Sequence, residues 1–188
     1  MAEPISQAEA KLHLKVDGND DNDLIDSLIV AARQVCEANT WRGLVPNGAA
    51  VEKFDSWPAT CFRLKDAPLI SVTSIAYIDA NGDSQTMSSD DYDVDTTTEP
   101  GQITLAYGAT WPSARSQHHA ITITYVSGYE AATDVPDAIK AAMKLLIGTW
   151  YDNRESVVVG QRLSAMTMPH AVELLLSTQT LRNFYGIQ

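Results

Sequence analysis

The chain has 188 residues, a formal net charge of −11 at pH 7 and a hydrophobic share of 45%. Such a length suits one domain, or one domain carrying an insert, and folding buries roughly 70% of the extended surface without covalent staples. The acidity argues against a phosphate-binding surface, and no stretch approaches the roughly 20 apolar residues of a membrane span.

The opening MAEPISQAEA has neither a basic start nor an apolar run, so no signal peptide is expected and synthesis in the cytoplasm is. Cys36 and Cys61 fall in different predicted elements and read as two reduced, half-buried thiols. Acid is concentrated before the last quarter of the chain. From Asp137 onward, Asp137, Asp152, Glu155 and Glu173 are offset by Lys140, Lys144, Arg154, Arg162 and Arg182. The acidic part reads as a solvated face or as a wall that repels DNA.

Ser6-Gln7-Ala8-Glu9 has capping-box form and predicts a short helix to about Leu14. Asp17 to Asp23 reads DGNDDND. It fails as a calcium loop, because the positions that need glycine and glutamate hold Asn22 and Leu28. It is expected instead to cap a second helix from about Asp21 to Asn39, with Asp20 or Asp21 at its start. Leu24, Leu28, Val35 and Ala31 or Ala32 form its expected buried stripe, with Ile25, Ile29 and Cys36 beside it. This helix ends at Asn39-Thr40-Trp41-Arg42-Gly43 and should pack against the other long helix of the chain.

The middle third changes to period two. Strands are expected at Phe62 to Leu64, Leu69 to Ile78, Ser84 to Met87, Asp91 to Asp95, Gln102 to Tyr107 and Ala120 to Val126. Asn81-Gly82 reads as a type I′ hairpin turn, and the charges of Asp91 to Asp95 suit an edge strand. The expectation is an antiparallel β unit of four to six strands, inserted in a helical frame.

From Pro136 the helical code returns. Asp134 can cap this helix and Pro136 fits its first turn. Ile139, Met143, Leu146 and Trp150 make a stripe, widened by Leu145, Ile147 and Tyr151, and Gly148 suggests a close backbone neighbour. After Glu155 the pattern breaks into the apolar run Val157-Val158-Val159 and an irregular segment holding Met166 and Met168. Pro169-His170 opens a last helix with Val172, Leu175 and Leu176 able to dock. The tail from Thr178 holds Leu181, Phe184, Tyr185 and Ile187, an apolar end awaiting a surface.

Reactive motifs are missing from the sequence. It has no phosphate loop, no GxGxxG and no GxSxG elbow. The adjacent His118 and His119 point to opposite faces of an extended chain and cannot share one metal ion. Trp41, Trp57, Trp111 and Trp150 lack the basic interleaving of single-strand nucleic-acid grooves. No catalytic, cofactor-binding or metal residue is assigned, and an assembly protein is expected rather than an enzyme.

The run GTWYDNRESVVVG resembles the end of the long helix in head–tail connector (adaptor) proteins of tailed bacteriophages. The paired N-terminal helices, PLISVTSIAYIDANG, DYDVDTTTEPGQITLAYGATWP and AITITYVSGY fit the same family in order and phrasing. The resemblance implies an α+β fold: residues 1–45 as N-terminal helices of the frame, 46–130 as the antiparallel β insert, and 131–188 as long helix, apolar loop, C-terminal helix and tail. It implies a virion protein at the head–tail junction, forming an oligomeric ring, commonly dodecameric, beneath the portal protein. That ring would extend the DNA channel towards a stopper or tail-completion protein, with DNA passing unbound. Arg154, Val157, Val158, Val159, Arg162, Met166, Met168, Leu181, Phe184, Tyr185 and Ile187 would then contact the portal or neighbouring copies. Two other readings stand beside it: another neck or tail-completion protein, and a small prophage-encoded enzyme or ligand-binding domain.

Overall fold

A computed structural model describes residues 2–153 and 169–181. Its contacts divide the chain into two units, one from Met1–Val45 with Ala131–Arg182, the other from Pro46–Glu130. The first is helical and the second is antiparallel β, so the fold is α+β.

The helical unit contains α1 (Gln7–Leu14), α2 (Asn22–Thr40), α3 (Asp137–Asp152) and α4 (His170–Ser177). α1 begins with the predicted capping box. Ser6 Oγ accepts from the Glu9 N–H at 3.2 Å and Glu9 Oε2 accepts from the Ser6 N–H at 2.9 Å. These bonds hold the Glu9 carboxyl below its ordinary pKa. α2 packs on α3, and both contact α1 and α4.

The buried face of α2 is Ile25, Ile29, Ala32, Cys36 and Thr40. It is rotated from the expected stripe, and Leu24, Leu28, Ala31 and Val35 are half-buried flanks. Asp21 occupies the cap position of α2 but its side chain makes no capping bond. Its carboxylate instead accepts from the Tyr151 hydroxyl of α3 at 2.5 Å, which ties the two long helices together. Asp134 likewise does not cap α3. It accepts from the Ala131 N–H at 3.2 Å and closes the short 3₁₀ turn Ala132–Asp134. In α3, Ala142 and Ile147 join Ile139, Met143 and Leu146 in the core, while Trp150 is half-buried and Leu145 is exposed. Gly148 faces a side chain rather than a backbone: a Cβ there would stand 3.5 Å from His13 Nε2.

The β unit holds seven strands: β1 (Asn47–Phe54), β2 (Cys61–Arg63), β3 (Leu69–Ile78), β4 (Ser84–Thr86), β5 (Tyr92–Asp95), β6 (Gln102–Leu105) and β7 (Ile121–Ser127). They form a four-stranded sheet in the order β1-β7-β3-β4 and a three-stranded sheet in the order β2-β6-β5. β7 is central and buries every second side chain: Ile121, Ile123, Tyr125 and Ser127. Phe62, Leu64, Leu69, Ile75, Ile103, Ile121, Ile123 and Tyr125 form one core. Trp57 and Trp111 stack beside it at 4.7 Å between ring centroids, only 10° from parallel. Gly101 admits β3: a Cβ there would lie 2.4 Å from Leu69 Cβ.

The β3–β4 turn is not type I′, which needs positive φ at two residues. Here only Gly82 has it, at +98°. The Asp79 carboxylate organises the turn, its Oδ1 accepting from the N–H groups of Asn81, Gly82 and Asp83 at 2.8–3.0 Å.

Candidate interaction surfaces

The described residues contain no group of three or more His, Cys, Asp or Glu side chains able to hold a metal ion. The surface is better read by which apolar and charged groups it exposes.

In the helical unit, α2 ends on Trp41 in the left-handed region at φ +59°, and this residue is 62% exposed. Beside it the chain beyond α4 is anchored. Leu181 N–H donates to Thr40 O at 3.1 Å, Thr180 Oγ1 donates to Asn39 O at 3.2 Å, and Arg42 Nε donates to Gln179 O at 2.8 Å. Leu181 is the one predicted contact residue that lies among those described. Its backbone is engaged within its own unit and its side chain is half-buried. Arg154, Val157, Val158, Val159, Arg162, Met166, Met168, Phe184, Tyr185 and Ile187 lie outside the described residues. Leu12, Leu145 and Leu174 are further exposed large hydrophobics. The signal for Leu174 was available: in α4, Val172 and Leu176 face inward and leave it pointing out.

The same unit buries Cys36 completely, and burial beside Glu37 pushes its thiol up to about 12. Arg33 bridges Glu3 and Glu37, each at 2.8 Å, and Glu37 Oε1 accepts from the Leu44 N–H at 2.9 Å. This fastens the segment leaving α2.

In the β unit, an open cleft is lined by Val51, Glu52, Lys53, Lys65, Asp66, His119 and Tyr125. The Tyr125 hydroxyl faces two carboxylates, Asp66 Oδ2 at 3.3 Å and Glu52 Oε2 at 3.5 Å. It has one proton and can serve only one of them at a time. Glu52 is 8% exposed, and burial raises its pKa despite the Lys65 N–H at 3.1 Å. The Tyr125 phenol is raised as well, first by burial and then by the charges of Asp66 and Glu52.

Exposed charge is unevenly divided. Residues 46–130 hold four basic residues, and three of them, Lys53, Arg63 and Lys65, lie on or beside β1 and β2. Their acidic neighbours are engaged. Glu52 is buried, Asp66 meets Tyr125, and Asp55 accepts from the His119 N–H at 2.7 Å and from His118 Nδ1 at 3.0 Å. The first of those bonds, then the second, depresses the Asp55 pKa. Across the three-stranded sheet, β5 and the turn before it carry Asp90, Asp91, Asp93 and Asp95, with no lysine or arginine.

The two units thus define a helical frame interrupted by an antiparallel β unit. No protein-family model matches the sequence, and no curated protein matches it. Solved structures do share the fold over nearly the whole chain. A chain in the neck of an empty gene transfer agent (GTA) particle, computed with C6 symmetry, superposes with a TM-score of 0.74 at 20% identity. The match covers 99% of this chain and 96% of that one. A chain in the virion of a native GTA particle gives 0.72 at 21% identity, covering 97% and 93%. A chain in the neck of a native GTA particle, computed with C12 symmetry, gives 0.69 at 20% identity, covering 99% and 96%.

Proposed function

We propose that this protein is a structural component of the neck of a phage-like particle, where copies of it form a ring between capsid and tail. The observation that carries the reading is the likeness of the whole chain, helical frame and β unit together, to chains found in GTA particle necks. A shared fold alone leaves function open. Here it agrees with a sequence lacking reactive motifs and with large apolar groups exposed on the helical unit.

In its finer form, the protein is a head–tail connector that docks beneath the portal and extends the DNA channel towards a stopper or tail-completion protein. Residues 154–168 and the tail beyond Arg182 are its candidate contacts with portal and neighbouring copies, through Val157, Val158, Val159, Phe184, Tyr185 and Ile187 in particular. The excess of acid suits a channel through which DNA slides without binding. Electron microscopy of the protein mixed with its particle's portal tests the reading. A new ring of density beneath the portal is the expected result. A compact monomer that leaves the portal bare would overturn the connector role.

A further inference from the structure

The two sheets of the β unit have four edge strands, β1 and β4 in one and β2 and β5 in the other, and β1 and β5 differ in charge. Among the described residues, β1 closes one side of the four-stranded sheet and is paired only with β7, and β5 closes one side of the three-stranded sheet and is paired only with β6. Such edges are templates for another chain unless something discourages them. On β1, Val51 is 56% exposed and Lys53 is exposed, and Lys65 lines the same cleft. On β5, Val94 is 36% exposed and Asp93 is exposed.

Charge decides which pairing these edges permit. Two β1 edges would bring Lys53 towards lysine, and two β5 edges would bring Asp93 towards aspartate. Like charges across a strand pair are unfavourable and opposite ones favourable. We propose that the β5 edge of one copy pairs with the β1 edge of the next, with Asp93 against the Lys53–Lys65 border. The contact is head-to-tail, because each copy offers a different edge to each neighbour. Repetition of such a contact closes a ring when the rotation between copies permits it. The proposal rests on the ring reading above and supplies the subunit contact that reading needs. It also separates two kinds of acid in the β unit: Asp93 seats a neighbour, while Asp79 and Asp95, bound up in their own turns, do not.

The experiment uses the full chain in assembled necks, in a Cys61→Ser background that leaves only buried Cys36. Val51→Cys or Lys53→Cys is combined with Asp93→Cys or Val94→Cys, giving four paired variants, which are oxidised and run without reductant. The expected result is a ladder extending beyond the dimer in at least one pair. A dimer with nothing above it would mean a two-fold contact and overturn the proposal. Necks that contain the chain as a ring but give no cross-link in any pair would also overturn it, and the ring reading would stand. Necks that lack the chain would remove both.

Charge exchange supplies a second readout without oxidation. Lys53→Glu and Asp93→Lys should each raise the concentration needed for assembly about tenfold, and the double variant should restore most of it. Equal loss in single and double variants would refute the pairing.

Discussion

Glu52→Gln should stabilise the β unit at neutral pH and do less as the solution is acidified. The carboxylate is nearly buried, with side-chain exposure of 9%, and it shares the Tyr125 hydroxyl with Asp66. Glutamine keeps the oxygen that accepts from the Lys65 N–H and removes the buried charge. What it gives up is the ion pair to Lys65 Nζ at 3.7 Å, whose lysine side chain is 60% exposed. Such a pair contributes at most about 1 kcal/mol. Desolvation of an incompletely paired carboxylate opposes folding by more than that, so the expected net gain is about 1 kcal/mol. The pH dependence follows from the raised pKa of Glu52. The folded protein holds the proton more tightly, so this group's contribution is greatest below the ordinary glutamate pKa and is lost as pH rises through the folded value. The advantage of glutamine should therefore be near zero at acid pH and level off towards neutrality. Urea titration at several pH values measures it, followed by near-ultraviolet circular dichroism, to which the stacked Trp57–Trp111 pair of the β unit contributes. A variant less stable at pH 7, or a difference that does not change with pH, would show that the carboxylate is held favourably and refute the reasoning.

Two truncations should separate anchor from contact segment. Removing 183–188 should leave the unfolding midpoint unchanged and reduce assembly. Removing everything from Thr178 also deletes the three bonds that residues 179–181 make with the end of α2, costing about 3 kcal/mol by thermal or urea unfolding. Gly101→Ala should destabilise the β unit by about 1–3 kcal/mol, since Leu69 must move away from the new methyl group. Replacing Val157, Val158 and Val159 together with serine should change unfolding by less than about 0.5 kcal/mol and prevent ring formation on the portal; loss of fold would make them core residues instead.

Local chemistry explains which elements could be read in advance. The Ser6–Glu9 capping box is a bond between residues three apart, and it forms as read. Strands β3 and β7 carry enough β-branched residues to declare themselves. β1 escaped notice because Gly48, Ala49 and Ala50 are small, Lys53 is charged, and one inward position is a glutamate. Its strand character comes from pairing with β7, a partner more than sixty residues away in the chain. The buried face of α2 lies one position from the expected stripe because larger Leu24 and Leu28 outweigh Ala32 in any hydrophobicity count. Close packing against α3 favours the small residue instead. Asp21 and Asp134 stand where helix caps are expected, but each has a different partner, one of them on another helix. The surfaces were harder still. Lys53 and Asp93 gain meaning only when the strand orders place them at separate edges, and strand order is not a local property.

The β unit begins and ends on adjacent strands, with Asn47 opposite Ser127 in the β1–β7 ladder. Residues 46–130 thus leave the helical frame and return to it at nearly one point. Left unfolded, a loop of that length would oppose the meeting of α2 and α3 by about 4 kcal/mol of closure entropy. Folded, it behaves as a short two-strand staple, whatever its size. The insert could therefore grow, shrink or be exchanged for another module during evolution while the helices on either side continued to find each other.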